Sequence, residues 1–179
     1  MKNFKNYNTF KGFTTVEVLV VVFIYSIIAG SCYVALISGN TSWQVTSAQV
    51  ELQQELRKGM DAMSEDLRQA GASSITNVPA DGIWYNTITF KICTGVSSGN
   101  ISWSSNTIQY VIGSGANVNQ ILRKSGSQSK VIAQDIQTLQ IRRQSSAPNI
   151  VEVSLLAQKN TSGGRLLSLN SNFSAKLRN

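Results

Sequence analysis

One stretch constrains this chain more than any other. From Val18 to Ile37 the sequence reads VLVVVFIYSIIAGSCYVALI, twenty residues without a charge. As a helix rising 1.5 Å per residue it spans about 30 Å, the thickness of one hydrocarbon core. Its N-terminal flank is basic, with Lys2, Lys5 and Lys11 and no acid before Phe13. The positive-inside rule places that flank in the cytoplasm and the bulk of the chain beyond the membrane. A cleaved secretory signal is a competing reading. Its apolar core is usually about 7–15 residues, shorter than this run, and an A-x-A-like exit is lacking. A lipoprotein signal is another, because Cys32 follows Ala29-Gly30-Ser31. An aliphatic residue is expected where Ala29 stands.

Composition removes several kinds of chemistry. The chain has 179 residues, enough for one domain plus its ends. It has no histidine, so a histidine-based triad, a His-ligated metal site and a histidine pH switch are excluded. Cys32 and Cys93 are too few for a disulfide scaffold or an all-cysteine zinc site. Gly-x-Ser-x-Gly, paired-acid and cysteine-with-base arrangements do not stand out. Gly113-Ser114-Gly115-Ala116 and Ser162-Gly163-Gly164 read as turns, since neither leads into a helix. The reading is therefore not an enzyme, with no cofactor and no metal.

The 16 Lys+Arg against 9 Asp+Glu give a net charge of +7, a composition that invites a nucleic-acid partner. Position weakens that reading. The first twelve residues carry +3, and from Phe13 to Val50 the only charge is Glu17. The segment Glu51–Arg68 carries −2, and the remainder is mildly basic with scattered charges. The longest basic runs are the pairs Arg123-Lys124 and Arg142-Arg143, and neither adjoins an aromatic residue in sequence. A single-strand groove needs basic residues interleaved with aromatics such as Trp84, Tyr85 and Trp103.

Glu17 opens the apolar run, where a carboxylate is costly. Cleavage between Gly12 and Phe13 would place a new α-amino group four residues before it. Positions i and i+4 share a helix face. The carboxylate could also neutralise the amine of a neighbouring chain, and burial would make that pairing selective. A glutamate that reaches for headgroup water is the alternative.

Lys11-Gly12-Phe13-Thr14-Thr15-Val16-Glu17 followed by an apolar run resembles the N-terminal signature of type IV pilins and pseudopilins. The resemblance implies a leader over residues 1–12 that a prepilin peptidase removes after Gly12. It implies N-methylation of Phe13 and a role for Glu17 in guiding subunits into a filament. Tyr25 departs from the family, which prefers aliphatic or small residues there. A tyrosine is tolerable in an apolar helix if its hydroxyl finds a partner.

No proline occurs before Pro79. Helix-compatible sequence can therefore run from Phe13 to about Gln69, roughly 85 Å. Ser38-Gly39-Asn40-Thr41-Ser42 is a weak point, since low-propensity residues cluster there. Beyond it Leu52, Leu56, Met60, Met63, Leu67 and Ala70 recur at spacings of four and three. Charged residues, Glu65 and Asp66 among them, occupy mainly the other, solvated faces. Gly71 is the expected C-cap.

After Gly71 the period changes to two. Strands are expected around Ile88–Ile92, Ile108–Ile112, Gln120–Lys124, Leu139–Arg142 and Val151–Leu156, with another at Arg165–Leu169. One antiparallel sheet with a polar outer face would take the Leu/Met stripe as its cover. The expected fold class is α+β, a pilin-like ladle with a helical handle and a sheet head. Its expected parts are a transmembrane half over 13–38, an amphipathic half over 39–71 and a head over 72–179.

Met60-Asp61-Ala62-Met63-Ser64-Glu65-Asp66-Leu67-Arg68-Gln69-Ala70-Gly71 is similar to the helix end of W-type minor pilins and J-type minor pseudopilins, and the late pattern Val131–Ile141 and Ile150–Ala157 is similar too. The resemblance implies a minor subunit at the tip or initiation complex of a type IV pilus or a type II secretion pseudopilus. Its partners would be the prepilin peptidase, other subunits and inner-membrane lipid. Its place would be the bacterial inner membrane, with the head outside the cytoplasm, and then the filament. A DNA-binding minor pilin at the tip of an uptake system is the alternative.

Overall fold

The computed structural model describes residues 12–97 and 100–178; all but the last residue of the expected leader 1–12 lies outside them. Helix α1 covers Thr15–Gln69, 55 residues. Among the described residues nine strands follow: β1 Thr87–Phe90, β2 Cys93–Ser97, β3 Asn100–Trp103, β4 Ile108–Ile112, β5 Ile121–Ser125, β6 Gln128–Ala133, β7 Ile136–Gln144, β8 Ala147–Asn160 and β9 Leu166–Lys176. The chain divides into two compact units, one ending at Trp43 and one covering Gln44–Asn179.

The first unit is the N-terminal part of α1. The helix runs through Ser38–Ser42 without a break, so the cluster of poor helix formers does not interrupt it. Thr41 Oγ1 donates to the Ile37 carbonyl at 2.9 Å, so its hydroxyl is satisfied within the helix. Its side chains up to Ser42 are all exposed, and this helix is long and apolar enough to cross a membrane. Two serines inside the apolar run donate back to helix carbonyls, Ser26 to Val22 at 2.7 Å and Ser31 to Ile28 at 2.8 Å. Such internal bonds remove most of the cost of a hydroxyl in an apolar medium.

The second unit holds the core, where the rest of α1 packs against antiparallel sheets. Ala48, Leu52, Leu56, Gly59, Met63 and Leu67 form the buried stripe of the helix. Met60, expected on this stripe, is half-buried, and Gly59 takes the central place. A side chain there would face Ile121 Cδ1 at 3.3 Å, Ala133 Cβ at 3.4 Å and Leu155 Cδ1 at 3.5 Å. The missing Cβ thus lets strands of two sheets approach the helix closely.

The strands form three sheets, not the single sheet expected from sequence. Their orders are β1-β4-β5-β6, β2-β3 and β7-β8-β9, and every ladder is antiparallel. Ile88, Phe90, Ile108, Tyr110, Leu139, Ile141, Val151, Val153 and Leu155 alternate inward and join the helix stripe in one core. Tyr85 and Ile141 exchange two backbone hydrogen bonds of 2.7 Å, which tie the loop before β1 to β7. Gly71 is not a left-handed C-cap. Its φ of −99° and ψ of 155° are extended, and it is a glycine because the Trp103 indole lies against it.

Candidate functional site

Gly12, Phe13 and Glu17 lie together at the start of α1. Gly12 and Phe13 precede the helix, are non-helical, and are exposed, Phe13 at 83%. A peptide bond in that state is open to a protease. Glu17 sits in the first turn. Thr14 N donates to Glu17 Oε2 at 2.9 Å, Thr14 Oγ1 donates to the same oxygen at 3.1 Å, and Glu17 N donates to Thr14 Oγ1 at 3.3 Å. This is a reciprocal capping box: threonine caps the helix and the glutamate three residues later reaches back.

Thr14-Thr15-Val16-Glu17 carries that signature in the sequence. Read only as an acid in an apolar run, Glu17 gave no hint of the cap. Its carboxylate satisfies donors at the helix start and lies where a negative charge suits the helix dipole.

Behind this end, the exposed face of α1 is a continuous apolar surface. Phe23, Tyr25, Tyr33 and Leu36 are each about two-thirds exposed or more. Cys32 is exposed within the same helix. Tyr25 points outward, so its hydroxyl faces whatever surrounds the helix.

In the second unit three of the helix charges expected to be solvated, Glu51, Glu55 and Asp66, hold elements together, while Arg57, Asp61, Glu65 and Arg68 are exposed as expected. Asp66 accepts from Tyr110 Oη at 2.6 Å and pairs with Arg123 at 2.6 Å through Nε and 3.3 Å through Nη2. The cluster links α1 to β4 and β5. Burial, then the Asp66 carboxylate, pushes the Tyr110 hydroxyl far above its ordinary range. The hydrogen bond to Asp66 raises Arg123. Glu55 accepts from the Gln134 backbone N–H at 2.8 Å. Lys159 bridges Glu51 at 2.7 Å and Asp135 at 3.2 Å, and these acids raise its pKa.

Several of the residues that suggested nucleic acid are engaged in the same way. Arg142 stacks over the Trp84 ring at 4.3 Å and pairs with Glu152 at 2.7 Å. Sequence adjacency missed that stack, because Trp84 reaches Arg142 from another part of the chain. Arg143 is buried, which lowers its pKa, and donates to the carbonyls of Pro148 at 2.9 Å and Val78 at 3.1 Å. Tyr85 Oη donates to Asp81 at 2.6 Å. That bond lowers the aspartate's pKa and raises the tyrosine's. No protein-family model and no curated protein matches this chain.

Proposed function

We propose that the chain is a minor pilin or pseudopilin, a filament subunit made in the bacterial inner membrane. A prepilin peptidase would cut between Gly12 and Phe13 and methylate the new amine on Phe13. The subunit would then join the tip or initiation complex of a type IV pilus or type II secretion pseudopilus. The observation that carries this reading is the bare apolar helix with an exposed, non-helical Gly12-Phe13 at its entrance and Glu17 in its first turn. Inner-membrane lipid and the helices of other subunits are the covers that fit such a surface. The helix would leave lipid for protein, so packing and charge pairing decide the gain more than hydrophobic burial does.

The capping box gives Glu17 two separable duties: its side chain caps α1, and its charge would meet an N-terminal amine. Glu17→Gln keeps a capping residue and removes the charge. Thr14→Ala removes the threonine cap, at about 1 kcal/mol, and keeps the charge. With the charge as the assembly element, both variants are processed to N-methyl-Phe13. Filament incorporation falls at least tenfold in Glu17→Gln and stays near the original level in Thr14→Ala. Mass spectrometry of the mature N-terminus and quantification of the sheared filament fraction read both effects. Normal incorporation of Glu17→Gln would sink the assembly role, and an unprocessed Met1 would sink the family reading.

The DNA-binding alternative has less support, since Arg123, Arg142, Arg143, Trp84 and Tyr85 have partners within the fold.

A further inference from the structure

The three-stranded sheet ends on an open edge. β9 pairs with β8 over eleven consecutive positions, from Asn160↔Leu166 to Ile150↔Lys176, without a register shift. Among the described residues no strand lies on its other side. Exposed edges are ordinarily blunted by charge, proline or a bulge. β9 has no proline and no bulge, and its one charge, Lys176, is its last residue. The edge strand β6 differs: it carries Lys130, and its ladder with β5 shifts between Ile121 and Leu122.

The side chains of β9 sort by face. Leu167, Leu169, Ser171 and Phe173 are half-buried, while Ser168, Asn170, Asn172 and Ser174 are exposed. The order is also nearly palindromic about Ser171. Consider two β9 strands laid antiparallel, each with Ser171 opposite its copy. Asn170 then meets Asn172, Ser168 meets Ser174, Leu169 meets Phe173 and Leu167 meets Ala175. Polar residues meet polar on one face, and apolar meet apolar on the other, the condition for favourable cross-strand pairs. Lys176 falls opposite Leu166, so like charges do not confront each other. Beside the edge, an open groove between α1 and β9 is lined by Leu56, Met60 and Leu169 together with Gln53, Arg57 and Asn170, so it offers an added strand both apolar and polar contacts.

We propose that β9 is a self-association edge. Two copies of this chain pair β9 to β9, antiparallel, about a two-fold axis at Ser171, and merge their three-stranded sheets into one of six strands. The interface is isologous. Main-chain hydrogen bonds supply its affinity and the palindrome supplies its register. The occupant is a second copy because the symmetry about one residue has meaning only for a strand meeting itself. The inference does not rest on the filament reading.

The test uses the full chain in detergent, with protein mass per micelle measured by light scattering across a concentration series. Two chains per micelle are expected. N170K/N172K sets like charges across both Asn170–Asn172 contacts and raises the dissociation constant roughly tenfold or more. N170K/N172E sets opposite charges across the same contacts and restores the pair. Both positions are exposed, so the fold tolerates the changes. One chain per micelle throughout overturns the proposal. So does a pair that N170K/N172K leaves intact, because the apolar helix would then be holding it. Failure of N170K/N172E to restore pairing overturns the register.

Discussion

Two buried glycines serve opposite ends. Gly59 lies in the middle of α1, where glycine costs about 1 kcal/mol relative to alanine. Its absent Cβ would sit 3.3–3.5 Å from three apolar side-chain atoms, a tight but nearly ordinary contact. Gly71 lies beyond the helix, so alanine there gains no helix propensity, and its Cβ would overlap the Trp103 ring, 2.9 Å from Cζ2. Gly59→Ala should therefore change stability by less than about 1 kcal/mol, as propensity offsets crowding. Gly71→Ala should cost about 1–3 kcal/mol through overpacking and shift the Trp103 emission. Urea denaturation followed by tryptophan fluorescence checks both, and equal costs at the two sites would contradict this account.

Among the elements, α1 was the most legible. The spacing of Leu52, Leu56, Met63 and Leu67 by four or seven residues fixes which face is buried, because a helix repeats every 3.6 residues whatever it packs against. β5 could be read at Gln120–Lys124, and β1, β4, β7 and β8 could be read because they alternate large apolar residues with polar ones. β6 could not: most of Gln128–Ala133 is exposed, so burial imposes no alternation on it. β2 and β3 form a small hairpin around Gly95 and several hydroxyl residues, with little apolar contrast to reveal it. β9 extends well past the expected Leu169 because its later positions alternate Asn and Ser with residues that are only half-buried. Of the site, Gly12, Phe13 and Glu17 could be named from the motif. The capping box needed the side chain's position.

The Asp66–Tyr110–Arg123 cluster escaped the sequence because its members lie on three elements far apart in the chain. It also makes stability depend on pH. The folded state holds the Tyr110 proton more tightly than the unfolded chain, whose tyrosine titrates near 10. The contribution is thus complete below about pH 10 and is lost as pH rises beyond it. Tyr110→Phe removes the titrating group. The fall in thermal midpoint between pH 9 and pH 11 should be smaller in Tyr110→Phe than in the original chain. Equal falls would place the alkaline sensitivity elsewhere.

For the molecule as a whole, the division at Trp43 and Gln44 separates a bare apolar helix segment from a packed core. Up to Ser42 the described side chains are exposed and mostly apolar; from Leu52 onward most of the buried apolar residues form one core. The net charge of +7 also looks different once the partners are known. Arg123, Arg142 and Lys159 are paired with acids, and Arg143 is buried against backbone carbonyls. The fragment Gln44–Asn179 keeps every one of these contacts. It should stay soluble without detergent, show a strand-rich circular dichroism spectrum and unfold in one transition, because its core is complete. With Lys58, Arg123, Arg142 and Lys159 paired to acids and the remaining cations scattered, it should bind DNA only weakly, with a shallow dependence on salt. A tract of free phosphate contacts would instead give a logarithmic slope of about −0.7 per contact on single strands. A titration of the fragment with single-stranded DNA between low and physiological salt measures that slope. A value equivalent to four or more contacts would show a basic surface that the pairing of these side chains does not explain.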